Sequence, residues 1–114
     1  MKLPVFLLLS AVFAFSACKK FKIEDDIPPC IEESAKEKTK SVSSEYATIL
    51  EYEFQGNIVY VFDLEAGQNN SSADIFNTSC EKIGYLGGVD QNKVVLGELF
   101  TNAKFIRRIW PTKT

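Results

Sequence analysis

The strongest pattern along the chain is the alternation in ATILEYEFQGNIVYVFDL, residues 47–64. Two runs rich in β-branched and aromatic side chains flank Gln55-Gly56-Asn57, which predicts a β-hairpin with a tight turn. A two-residue turn at Gln55-Gly56 or at Gly56-Asn57 gives the same facing, because side chains alternate with period two along a strand. Leu50, Tyr52, Phe54, Val59 and Val61 then share one face, read as core. Ile49, Glu51, Glu53, Ile58, Tyr60 and Phe62 share the other. A three-residue turn would instead place Tyr60 and Phe62 beside Tyr52 and Phe54, so the register decides which face is which.

Weaker patterns surround this hairpin. In DIPPCIEESAKEKTK, Asp26 or the prolines open a helix, since proline is tolerated in the first turn. Glu32 and Glu33 lie near its positive end and Lys36, Lys38 and Lys40 near its negative end, which suits the helix dipole. Its apolar face is thin: Ile27, Ile31 and Ala35, with Cys30 alongside. SVSSEY and EAGQNNSSAD read as polar loops, and Ile75-Phe76 with Ile83–Leu86 as a second, shorter hairpin turning around Thr78–Glu81. Gly87-Gly88 breaks it. Val95, Leu99 and Phe100 recur at near-helical spacing and predict a short helix, with Gly97 a poor helix former inside it. KFIRRIW closes the fold as a strand ended by Pro111, and Trp110 is expected to pack on the sheet near Phe100. The expectation is an α+β fold: an N-terminal helix packed with a curved antiparallel sheet of about five strands, and a short helix before the last strand.

The first residues change the picture. Lys2 is followed by a short apolar run, Leu3 to Phe15, too short for a spanning helix of about 20 residues. A basic start, a short apolar run and small residues at its end describe a secretory signal peptide. Phe15-Ser16-Ala17-Cys18 resembles the lipobox of bacterial lipoproteins, with Phe15 in place of the more usual leucine. That resemblance implies a lipidated Cys18 as mature N-terminus, held firmly in a membrane by several acyl chains. Lys19, Lys20 and Lys22 follow, either attracted to anionic headgroups or forming a solvated tether. The expected organisation is a signal peptide at 1–17, a lipidated tether at 18–26, one globular domain at 27–111 and a frayed tail at 112–114. Removing residues 1–17 takes one of the 13 basic residues and none of the 15 acidic ones, so the net charge moves from −2 to −3. Nucleic acid is not an expected partner of so weakly acidic a chain.

Once Cys18 carries lipid, Cys30 and Cys80 are the cysteines left, an even pair in an oxidising compartment. A disulfide between them is favoured. The alternatives are two free thiols or a metal site; the latter needs more ligands, and the chain has no histidine. No metal or cofactor is therefore expected.

Catalytic vocabulary is poor. Without histidine there is no Ser-His-Asp or Cys-His arrangement. Glu51 and Glu53 imitate a carboxylate pair, but alternate residues of one strand supply spacing without a cleft. Asp63–Asp74 fails as a calcium loop, because Gly67 falls fifth rather than sixth and Asp74 twelfth, where a glutamate is needed. Gly84–Gly88 lacks the G-K-[ST] of a phosphate loop. The chain is not expected to be an enzyme. The candidate surface is the face with Glu51, Glu53, Tyr60 and Phe62. It is either an exposed aromatic patch rimmed by carboxylates, or a second small core beneath the helix.

Pro29-Cys30-Ile31, Glu51-Tyr52-Glu53-Phe54 with Gly56, Val59-Tyr60, Cys80, Gly87-Gly88, Phe100 and Ile109-Trp110 together resemble a family of small Bacteroidetes-type lipoproteins of unknown function. The marks are scattered over most of the mature chain. It departs from the family in lacking extra cysteines and an aspartate-rich segment after the glycine pair. The resemblance implies an envelope location and the disulfide, and brings no activity. It also implies that an acidic cluster directly after the anchor cysteine marks proteins for surface display. Lysines stand there in this chain, and Glu24-Asp25-Asp26 comes late, so a periplasm-facing outer-membrane lipoprotein is expected. The expected role is a membrane-anchored, non-catalytic binding or accessory module for another envelope protein. The alternative is a periplasmic inhibitor of an envelope-attacking hydrolase such as a lysozyme or protease, or an immunity lipoprotein against a toxin.

Overall fold

A computed structural model describes residues 21–112. The expected signal peptide, the lipidation at Cys18 and most of the expected frayed tail lie outside the described residues.

Helix α1 spans Pro29–Lys38. Pro28 stands at its N-cap, and its carbonyl accepts hydrogen bonds from the Ile31 and Glu32 amides at 2.9 and 3.0 Å. Pro29 occupies the first helical position, where its missing N–H costs nothing. Ile31 and Ala35 point inward and are fully buried. At the other end, Thr39 Oγ1 donates to the Ala35 carbonyl at 2.7 Å.

Five strands form one antiparallel sheet: β1 (Thr48–Phe54), β2 (Asn57–Asp63), β3 (Ser72–Asn77), β4 (Lys82–Gly87) and, after a separate two-stranded ribbon described below, β7 (Lys104–Trp110). Their order across the sheet is β4-β3-β2-β1-β7. Phe54 pairs with Asn57, so the first turn is the two-residue version at Gln55-Gly56. Both residues have positive φ, 54° and 79°, the conformation whose twist matches antiparallel strands. The two faces predicted for the hairpin therefore form as read. The second hairpin also forms, and the Asn77 side-chain oxygen accepts the amides of Ser79 and Glu81 at 2.9 Å to close its turn.

The predicted short helix does not form as such. Val94–Val95 and Glu98–Leu99 are β5 and β6, a two-stranded ribbon, and only Phe100–Asn102 keeps a single 3-10 turn. Leu96 and Gly97 both have positive φ, so the chain reverses there rather than coiling onward. Val95 supplies the reason to turn: it lies flat on β4, where a Cβ on Gly84 would stand 3.0 Å from its Cγ1. Burying Val95 against a strand that opens a slot for it outweighs near-helical spacing through a glycine.

Strand β7 carries two register shifts against β1, leaving Ile106 and Ile109 as bulged residues. Bulges are usual on sheet edges, where they discourage further pairing. The second one corrects an expectation. Arg108 lies opposite Leu50 but Trp110 lies opposite Ile49, so Trp110 turns to the other face and packs with the helix-side core, away from Phe100. Each face of the sheet thus has its own core. One joins Ile31 and Ala35 of α1 to Ile49, Tyr60, Phe62 and Ile109. The other joins Phe54, Val59, Val61 and Ile75 to Val95 and Phe100 of the ribbon and its 3-10 turn.

The expected tether also differs from a free leash. Phe21 and Ile23 pack on the helix-side core, and the Glu24 amide donates to the Ile109 carbonyl at 3.1 Å. Residues 21–26 lie along the outer edge of β7.

Candidate functional site

The face read as a candidate surface is interior. Tyr60 and Phe62 are 1% and 3% exposed beneath α1, so no exposed aromatic patch forms there. The physical reason is that Ile31 and Ala35 do not cover the face alone: Phe21, Ile23 and Ile27 from the preceding segment complete the lid. Cys30 and Cys80 form the expected disulfide, with Cα atoms 6.1 Å apart, which fastens the start of α1 to the β3–β4 turn.

Glu51 is the one buried charged residue among those described. Strand pairing places Tyr60 opposite it on β2 and Arg107 opposite it on β7. The Tyr60 hydroxyl donates to Oε2 at 2.6 Å, and Arg107 Nε donates to Oε1 at 2.6 Å. Arg107 Nη2 reaches further and donates to the Asp25 carbonyl at 2.8 Å, tying the segment before α1 to the same carboxylate. Burial, and then the bond to Glu51, push the Tyr60 phenol well above the usual tyrosine range. The hydrogen bond to Glu51 likewise raises the Arg107 guanidinium. Both carboxylate oxygens are engaged, one by each partner, and Arg107 balances the charge. Glu51 is a clasp. Glu53, two residues on, is exposed and takes no part.

The opposite face is half open. The ribbon and the 3-10 turn cover the end near Phe54, whereas Leu50, Tyr52 and Leu86 are only half-buried. Tyr52 stands edge-on to Phe100 at 5.0 Å and to Phe105 at 5.5 Å between ring centres. A hollow of about 500 Å³ opens among Tyr52, Leu86, Phe100 and Ala103, with Asn92 and Lys93 on its rim. A second, of about 690 Å³, runs from Leu50 to Phe105, Ile106 and Arg108 at the sheet edge. Leu50 and Tyr52 also border a third hollow that contains Asp63, whose carboxyl is raised by burial. Tyr52 is raised by burial and, after it, by the Asp63 charge. Arg108 Nε is buried without a hydrogen-bond partner among the described residues. An apolar floor with a few polar groups at its margins is the composition of a binding surface.

Sequence reasoning placed Tyr52 in the core and missed this trough. Its signal was the shortage of cover: among the described residues one short apolar run, residues 94–100, is left to cover this face. Arg107 was missed because its partner becomes visible only with the β1–β7 register. Among the described residues no group of three or more metal-ligating side chains occurs, and no helix is long and apolar enough to cross a membrane. No protein-family model matches the chain, and no curated protein or solved structure is significantly similar to it.

Proposed function

We propose that this chain is an envelope lipoprotein, anchored through Cys18, whose domain is a non-catalytic binding or accessory module that engages another envelope protein. The observation that carries the reading is the half-open ribbon-side face, with exposed Phe105 and Ile106 continuing the apolar floor of Leu50 and Tyr52 to the sheet edge. Apolar surface left uncovered beside a fully sealed second face is the arrangement of a docking surface rather than of a reaction centre. The lipobox at Phe15–Cys18 and the resemblance to small Bacteroidetes-type lipoproteins support the location. The outer-membrane position rests on that resemblance, and the periplasm-facing orientation on the lysines that stand where a surface-display signal would carry acids.

The test has two arms. Mass analysis of the N-terminal peptide should find acylated Cys18, and Cys18→Ser should leave the protein unprocessed or out of the membrane fraction. Phe105→Ser with Ile106→Ser should then lose crosslinked partner from intact envelopes while unfolding at nearly the wild-type denaturant concentration. Unchanged crosslinking in that variant would remove the trough as the binding surface.

A further inference from the structure

We propose that the domain stands directly on the lipid surface, on the end of the sheet that carries Tyr46 and Val89, with no free stalk between lipid and fold. The inference rests on the reading of Cys18 as the anchor. Two residues separate Cys18 from Phe21, and Phe21 is already packed on the helix-side core. Three peptide steps span at most about 11 Å. The Glu24 amide is then bonded to Ile109, so this part of the chain is fixed to β7 rather than swinging. A bilayer held so close must meet the nearest end of the domain.

That end is identified by register. Glu24 meets Ile109, Trp110 pairs with Ile49, Thr48 with Asp63, and Ser72 with Gly87. The loops beyond these residues therefore lie at one end of the sheet. They carry the two most exposed large hydrophobic side chains described, Tyr46 at 65% and Val89 at 82%. Tyr46 precedes β1, and its ring rests against Gly67, where an added Cβ would stand 3.0 Å from Cδ2. A tyrosine supported from behind and a free valine suit the interfacial zone, where aromatic rings and short apolar side chains are at home. The opposite end, with Gln55 bonded to the Leu96 carbonyl, is about 20 Å away along β1 and faces outward. Glu45 and Asp90 flank the two apolar tips, and Asp90 accepts from the Tyr85 hydroxyl at 2.5 Å. Lys19, Lys20 and Lys22 follow the anchor in the sequence, so acids and lysines offset one another at this end and neither sign of charge selects the lipid. The occupant is the bilayer interface, met at the two tips by the apolar contact of Tyr46 and Val89, which needs no anionic headgroup.

The experiment uses the full, processed protein reconstituted in phosphatidylcholine vesicles carrying a headgroup-region spin-label quencher. Trp110 is the one tryptophan, so Trp110→Phe gives a dark background into which Val89→Trp or Leu96→Trp is placed. Both positions are exposed, so neither change disturbs the core. Quenching should be several-fold stronger at position 89 than at position 96, and insensitive to high salt. A flexible Gly/Ser insert of about 20 residues between Lys20 and Phe21, spanning about 25 Å, should abolish that difference. Equal quenching at the two positions in acylated protein, or quenching that appears only with anionic lipid, would overturn the standing geometry and leave the anchor intact. Absence of acyl mass on Cys18 would instead overturn the anchor reading beneath it.

Discussion

The two faces of the sheet are finished differently. On the helix side, two covering segments, a disulfide and a carboxylate clasp converge on one core, and Tyr60 and Phe62 are sealed. On the ribbon side, four short strand residues and one 3-10 turn cover half the face, and Tyr52 shares its edge contacts with the half-exposed Phe105. A domain this small buries little surface and leans on covalent ties. Here those ties hold the helix side alone. Both faces bury a core, but only the helix side is closed over: on the ribbon side Phe54, Val59, Val61, Ile75, Val95 and Phe100 are buried while Leu50, Tyr52 and Leu86 stay half-exposed. The same division explains why the chain before α1 is docked: it is the missing part of the helix-side lid, and Arg107 ties its backbone to the buried Glu51.

The sharpest way to break this comparison is to attack the sealed aromatic pair of one side and the exposed apolar pair at the edge of the other. Tyr60→Ser with Phe62→Ser should cost more than about 5 kcal/mol, because truncating one buried aromatic costs about 3–5 kcal/mol. The variant should fail to show a cooperative urea transition. Phe105→Ser with Ile106→Ser should cost about 1 kcal/mol or less, in line with exposed positions. Similar losses for the two pairs would mean that Phe105 and Ile106 are structural rather than free surface.

Breaking the covalent tie comes next in size. Cys30→Ser with Cys80→Ser opens a loop with a sequence separation of 50. Chain entropy alone puts the loss at about 4 kcal/mol. Because α1 buries only Ile31 and Ala35 completely, the helix should loosen before the sheet does. Amide exchange would then accelerate in Ile31–Lys38 more than in β2 and β3. Uniform acceleration across the sheet would show that the disulfide acts through the whole domain rather than through the lid.

Much of the fold was legible from pattern. The β1–β2 hairpin could be read because alternation fixes facing once the turn length is set; the choice between a two- and a three-residue turn is settled by the Phe54–Asn57 pairing. Elements whose shape depends on a distant slot could not. Val95 turns back into a strand because Gly84 leaves room for it, and Trp110 changes face because Ile109 bulges; neither fact is local. The disulfide was legible by parity of the cysteines. The candidate face was legible only as two alternatives, an exposed patch or a second core beneath the helix, because the pattern does not show that Phe21 and Ile23 complete the cover over Tyr60 and Phe62. Conversely, Tyr52 looked like core because it alternates with Leu50 and Phe54, and only the shortness of the ribbon leaves it half-open.

The smallest change probes the clasp itself. Tyr60→Phe keeps the ring in the helix-side core and removes only the hydrogen bond to Glu51 Oε2. A bond to a charged group contributes about 2 kcal/mol, and the Arg107 bond to the other oxygen remains. Burial, and then the hydrogen bond to Glu51, raise the Tyr60 phenol in the folded state above its unfolded value of about 10. The folded state therefore holds this proton more tightly than the unfolded chain does. The stability it supplies is present in full below pH about 10 and is lost as pH rises from there toward the folded value. Urea midpoints should be level between pH 8 and about 9.5, then fall in the wild type. Tyr60→Phe should start lower and fall less steeply. Some slope should persist in the variant, because Tyr52 is also raised, first by burial and then by Asp63. Equal alkaline slopes in the two proteins would show that the phenol proton is not what joins β2 to the clasp. In that case Glu51 and Arg107 alone hold the segment before α1 against β7.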